Sequence, residues 1–201
     1  MPANRLAMLQ LISALQNPNV DYDEIERLIS KDVALSYRLL NIINSAYYAR
    51  TQKIDSIRQC LLLLGMKAIK TTVSLLLLSN IDDKPHELLT TAMIRAKMSE
   101  QIAIEMGYRE AQKFFLVGLF SVLDVLLDRS MRELLQDLPL QEDISKALLG
   151  QGGILGTIIS CVLAYERGKW NEIKALGLDD VLVIEAYLNA ISWANDMNAI
   201  L

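Results

Sequence analysis

Between Asp32 and Gly65 the chain carries two helical patterns hinged on a short polar elbow, and this pairing leaves few folds open. Leu35, Leu39, Ile42 and Ile43 recur at helical spacing after Asp32, a residue suited to cap a helix start. Arg38 and Asn41 lie three residues apart on a different face of that helix. The elbow runs Asn44-Ser45-Ala46-Tyr47-Tyr48. Ser56 and Gln59 then give the capping-box spacing that opens a second helix, with Arg58 in its first turn. Leu61 to Leu64 carry that helix to Gly65, where a left-handed C-terminal residue is expected.

The rest of the chain repeats this grammar. Leu6, Leu9, Ile12 and Leu15 form a first helical stripe ended by Pro18. A second helix follows Asp21, with Ile25, Leu28 and Ile29 inward and Asp23, Glu24 and Glu26 near its positive end. After Gly65 a leucine-dense helix covers about 66–79, and Asp82-Asp83-Lys84-Pro85 is the best boundary in the chain. A long amphipathic helix follows through Leu88, Thr91, Arg95, Met98, Ile102 and Met106, closed by Gly107.

Phe114 to Leu127 is apolar on nearly all sides and belongs at the centre of a bundle. Gly118 in its middle costs about 1 kcal/mol in propensity, which a close helix contact would offset. Ser130 and Glu133 repeat the capping-box spacing, and Leu138-Pro139-Leu140 leads to a helix ending at Gly150. Beyond the Gly152-Gly153 loop, a buried helix runs from Ile154 to Arg167, and Asp179 caps a last one to about residue 199. Just over half of the 201 residues are hydrophobic, with nine Gly and four Pro, which favours helices throughout. The expectation is an all-α bundle of about ten or eleven helices in two lobes, about 4–81 and 86–199, within one domain over 1–201.

Composition also narrows function. A net charge of −4 argues against a broad phosphate-binding face, so a nucleic-acid partner is not expected. Cys60 and Cys161 both sit in leucine-rich helices and read as buried structural thiols. His86 is the one histidine, at an exposed helix start, so a His-rich metal centre is impossible and only an all-carboxylate site for Mg²⁺ or Ca²⁺ stays open. No metal or other cofactor is expected. The longest apolar runs, at Leu61 to Leu64 and Val73 to Leu78, are too short to span a bilayer. The start shows no signal-peptide core, so the expected setting is cytoplasmic, without a membrane partner.

Three places could carry function. The elbow is either a structural joint or part of a polar patch of Arg38, Asn41, Asn44, Tyr47, Tyr48 and Arg58 that takes a partner or small anion. Asp124 and Asp128, one helical turn apart, could hold a cation, although capping or solvation explains both. Arg167 and Trp170 flank a helix break and form either an interaction tip or a fold-back over the core.

The segment Leu35-Ser36-Tyr37-Arg38-Leu39-Leu40-Asn41-Ile42-Ile43-Asn44-Ser45-Ala46-Tyr47, followed by Ile54-Asp55-Ser56-Ile57-Arg58-Gln59 and Leu64-Gly65, resembles the HDOD family, HD-related output domains of bacterial signalling proteins. The resemblance extends from about Leu6 to Trp193. In details such as Ala164-Tyr165-Glu166-Arg167-Gly168, it is nearest the HDOD half of proteins that carry an EAL cyclic-di-GMP phosphodiesterase-type domain upstream. Catalytic HD relatives carry Gly-Leu-Leu-His-Asp on the central helix, the His and Asp holding metal. Here that run is Gly118-Leu119-Phe120-Ser121-Val122, with Thr91 loosely where an upstream His often stands. Asp124 comes one residue too late to replace either ligand.

The resemblance thus implies a non-catalytic output domain acting through protein contacts and linked to cyclic-di-GMP signalling. Its partners would be an upstream EAL-type domain, another signalling protein or a second copy. Two alternatives stand beside it. One is a degenerate metal-dependent phosphohydrolase using Asp124 and Asp128 with Mg²⁺ or Mn²⁺. The other is a nucleotide-sensing module with a pocket beside Arg38, Asn41 and Arg58.

Overall fold

The computed structural model describes residues 3–17, 19–45, 54–81, 84–138 and 140–201. The expectations placed on Pro18, Ala46, Tyr47, Tyr48, Asp82, Asp83 and Pro139, and on the side chains of Leu6 and Leu9, lie outside the described residues.

Among the described residues every regular element is a helix. The order is α1 Ala3–Gln16, α2 Tyr22–Ser30, α3 Val33–Ile43, α4 Ile57–Ser79, α5 His86–Glu105 and α6 Ala111–Phe120. It continues with α7 Leu123–Leu127, α8 Met131–Asp137, α9 Glu142–Leu148, α10 Gly153–Glu166, α11 Trp170–Ala175 and α12 Asp180–Asn198. The caps sit where the sequence spacing puts them. Asp21 accepts from the Glu24 N–H at 2.8 Å and Asp32 from the Leu35 N–H at 2.9 Å. Asp179 accepts from the Val181 and Leu182 N–H groups at 2.8 and 3.2 Å. Each satisfies donors that a helix start leaves without a partner.

The helices group into two compact units. The first comprises Met1–Asp83 with Asp137–Leu140 and Asp196–Leu201. Its core is aliphatic: Ile12, Leu15, Ile25, Ile29, Leu35, Leu39, Ile42, Ile43 and Ile69 are sealed from solvent. The second comprises Lys84–Gln136 and Gln141–Asn195. Phe115, Leu119 and Phe120 of α6 are sealed among Met93, Ala96 and Ile102 of α5 and Ile158, Cys161 and Val162 of α10. The Phe115 ring stands edge-on to Trp193, centroids 5.6 Å apart. Both cysteines are buried, and burial pushes the Cys161 thiol up to about 11.

Two local expectations need correction. The apolar helix expected over Phe114–Leu127 stops at Phe120 and restarts at Leu123. Its break is chemical: the Ser121 hydroxyl donates to the Gly118 carbonyl at 2.7 Å, competing with the helical ladder. Gly65, as expected, ends one helical segment and lets another begin within α4; its φ is +80° and its ψ 160°, an extended rather than a left-handed helical turn.

The first half of α5 also buries a face one residue on from the expected stripe, while Met98 and Ile102 of that stripe are buried as expected. Leu89, Ala92, Met93, Ala96, Ser99 and Ala103 point inward, while Leu88, Thr91 and Arg95 flank them. Small residues win that face because α6 comes so close. A Cβ built on Gly118 would lie 2.5 Å from the Ala96 Cα and the Arg95 carbonyl oxygen.

By length and composition, two stretches, Ile57–Ser79 and Glu142–Glu166, reach the range of a membrane span. The first turns at Gly65, and the second is α9, a glycine turn and α10. Of the apolar windows in them, 50% and 44% are buried within the fold.

Candidate functional site

In the first unit the elbow closes on Asn44. Its amide accepts from the Ile54 N–H and donates to the Ile54 carbonyl, both at 2.8 Å, and donates to Leu40 at 2.9 Å. One side chain therefore clamps the end of α3 to the residue two before the cap of α4. Ser56 caps α4 through the Gln59 N–H at 3.1 Å, while the Gln59 side chain reaches back to the Asp55 N–H, also 3.1 Å. That return bond lands one residue earlier than in a standard capping box.

The six-residue patch does not assemble as one site. Arg38 donates to the Ser79 hydroxyl at 3.0 Å and to the Leu201 carbonyl at 3.3 Å, at the C-terminal end of α4. Arg58, at the opposite end of α4, is paired with Asp23 and Glu26 of α2. Those carboxylates raise its pKa, the hydrogen bond that Arg58 donates to Asp23 foremost. Asn41 is exposed, Asn44 is committed to the clamp, and Tyr47 and Tyr48 lie outside the described residues. The two guanidiniums thus have separate partners, toward opposite ends of α4.

In the second unit Ser121 and Val122 lie at a junction of three helices. Ser121 ends α6, and its hydroxyl accepts from Arg95 Nη1 at 3.2 Å. Arg95 in turn forks onto Glu166, the last residue of α10, through Nε and Nη2, each 2.8 Å from a carboxylate oxygen. The side chains keep only 17% and 24% of their exposure, so water screens this pair less than a surface one. Val122 is 2% exposed and has no ligating atom. The fork joins α5, the close of α6 and α10 through one cation.

Sequence reasoning named Arg95 and Glu166 without pairing them. The signal was present: an arginine at the edge of an inward-facing stripe calls for a counter-charge.

The other candidates have local employment. Asp124 accepts from the Val125 N–H at 2.9 Å, and Asp128, in the left-handed conformation at φ 52°, pairs with Lys84. Their carboxylates thus serve different partners. His86 is exposed at the start of α5, and the Thr91 hydroxyl donates to the Glu87 carbonyl at 2.8 Å. Among the described residues, no group of three or more His, Cys, Asp or Glu is placed to hold a metal ion. At the tip, Trp170 packs edge-on against Tyr165 at 5.4 Å and stays 40% exposed, while Arg167 is exposed.

Comparison with known proteins gives a consistent family. The model of the HDOD domain matches residues 1–142. The chain is 35% identical over 206 residues to the cyclic di-GMP phosphodiesterase CdgJ of Vibrio cholerae, aligning over 100% of this chain and 48% of that protein. It is 31% identical over 194 residues to the uncharacterized protein YuxH of Bacillus subtilis, over 94% of this chain and 47% of that one. The chain therefore spans about half the length of these curated relatives. A crystal structure of a proposed signal transduction protein from Marinobacter aquaeolei superposes with a TM-score of 0.69 at 16% identity. It covers 96% of this chain and 57% of that one, which establishes a shared fold.

Proposed function

The chain belongs to the HDOD domain family, and from that premise we propose that it is a non-catalytic regulatory module of bacterial signalling, acting through protein contacts and linked to cyclic di-GMP. One observation carries this reading: at Ser121 and Val122, which the resemblance sets at the metal-holding places, the valine has no ligating atom and the serine hydroxyl is engaged by Arg95. The Glu166 carboxylate is likewise committed to that guanidinium rather than open to a metal ion. CdgJ is named a phosphodiesterase, and in this proposal such an activity belongs to the half of that protein that this chain does not match.

Contact with other proteins is supported by apolar side chains left in solvent at helical spacing. Val181, Ile184 and Leu188 of α12 are 61%, 37% and 59% exposed. Positions i, i+3 and i+7 form one stripe, the form in which a helix presents itself to a partner helix. The proposed partners are an EAL-type domain, another signalling protein or a second copy, in a cytoplasmic setting.

The test combines two measurements on the purified chain. With Mg²⁺ or Mn²⁺ supplied, no hydrolysis of cyclic di-GMP or simple phosphodiesters is expected. Turnover that disappears in Asp124→Ala would instead establish the degenerate phosphohydrolase. In sedimentation at rising concentration, self-association or binding of an EAL-type domain is expected, weakened by Leu188→Asp. Absence of both would end the contact proposal.

A further inference from the structure

In the second unit, a cavity of about 600 Å³ lies between the α5–α6 connection, the first turn of α6, α9 and the start of α10. That volume is typical of small-molecule sites, which run from about 300 to 1,000 Å³. None of the residues that the sequence offers as functional candidates lines it. Its walls differ in chemistry.

On one side the Tyr108 and Phe114 rings meet with centroids 5.4 Å apart, and Ile154 leaves 38% of its surface uncovered. The rings are tilted 40° to one another, an apolar wall with a phenol edge against which a planar ring can pack face-on to one and edge-on to the other. On the other side the charges are mostly spent on one another. Lys113 bridges Asp143 at 2.9 Å and Glu110 at 3.3 Å, and Lys146 pairs with Glu142 at 2.6 Å.

Arg109 is the exception. It is exposed at the rim and has no hydrogen bond or ion pair among the described residues. A planar fork of donors without an acceptor is matched by a phosphate or carboxylate. The floor adds bare backbone, since nothing lies within 4 Å of a Cβ built on Gly152 or Gly153. Both have positive φ, +87° and +72°, so side chains there would be strained and the approach to the main chain stays open.

We propose that this cavity binds a nucleotide, its phosphate held by Arg109 beside the open Gly152–Gly153 backbone and its base laid against Tyr108 and Phe114. Gln151, also in the lining, carries an amide with both donors and an acceptor for the edge of the base. The site is not the one anticipated beside Arg38 and Arg58; it lies in the other unit. Such a ligand would act on the second unit whether or not the chain contacts other proteins, so its failure leaves the regulatory proposal standing.

The experiment is calorimetric titration and thermal shift of the 201-residue chain with GMP, AMP, cyclic di-GMP, guanosine and inorganic phosphate. At least one nucleotide is expected to bind and to raise the melting temperature, more weakly at high salt. Arg109→Ala and Tyr108→Ala should each lower its affinity about tenfold or more. Both side chains are exposed, and an unchanged melting temperature of the ligand-free variants shows that the fold is kept. The proposal is overturned if no nucleotide binds at about 1 mM. It is equally overturned if phosphate alone binds as tightly as GMP, if guanosine matches GMP, or if the variants bind like the parent chain.

Discussion

The elbow of the first unit and the α5–α6–α10 junction of the second are both polar knots among apolar helices, tied at different range. At the elbow, Asn44 bonds Ile54, ten positions along the chain. At the junction, Arg95 bonds Ser121 and Glu166, which are 26 and 71 positions away. A knot tied over ten residues leaves its spacing in the sequence. One tied over seventy leaves only a charge beside an inward face and, far off, another to match it.

The sharpest way to break this comparison is at Gly118, which brings the junction's helices together. By propensity alone, Gly118→Ala gains about 1 kcal/mol. The structure requires the opposite sign, because the new methyl would lie 2.5 Å from backbone atoms of Arg95 and Ala96 that have no rotamer to escape into. Separating α5 from α6 is expected to cost about 3 kcal/mol or more, read as a fall in the urea midpoint. Thermal denaturation that improved would mean that the helices do not touch there.

Next in size are the knots themselves. Arg95→Met with Glu166→Gln forms a double-mutant cycle across a partly covered fork, with a coupling of about 1–2 kcal/mol expected. Each single variant should be worse than the double, because it strands the partner away from full solvent. Asn44→Ala loses three hydrogen bonds around a more exposed turn, and about 1–2 kcal/mol is expected without coupling to either junction residue. Coupling between Asn44 and Arg95 in a further cycle would show that the two knots are not independent.

The same contrast of range explains what could be read in advance. The all-α class, the caps at Asp21, Asp32, Ser56, Ser130 and Asp179, and the turn at Gly65 are each set within a few residues, and all were legible. The break after Phe120 was not. It depends on a serine hydroxyl choosing a carbonyl three residues back instead of solvent, and the surrounding leucines favour either outcome. The inward face at the start of α5 was not legible, because closeness of packing outweighs hydrophobic size there. Ala92 and Ala96 are buried because Gly118 lets α6 approach. The patch around Arg38 and Arg58 was drawn by adjacency in sequence, whereas the two side chains are bonded toward opposite ends of α4. The cavity beside Arg109 was not legible at all, since four separate segments contribute to it.

The smallest effect belongs to a knot tied over three residues. Ser130 and Glu133 form a complete capping box: the Ser130 hydroxyl accepts from the Glu133 N–H at 3.3 Å, and the Glu133 carboxylate accepts from the Ser130 N–H at 3.1 Å and its hydroxyl at 2.8 Å. Those bonds, the hydroxyl's first, hold the Glu133 carboxyl below its ordinary value. A carboxyl lowered in the folded state binds its proton more readily when unfolded. Its contribution is therefore present above the unfolded value and is lost as pH falls through the folded one. Between about pH 5 and pH 3 the urea midpoint of the parent chain should fall slightly more steeply than that of Glu133→Gln, with Ser130→Ala flattened likewise. Asn44 carries no charge, so the loss from Asn44→Ala should stay constant over the same interval. Parallel slopes in the parent and Glu133→Gln would mean that the box contributes nothing to stability. A pH-dependent loss in Asn44→Ala would mean that the elbow holds a titrating partner as well.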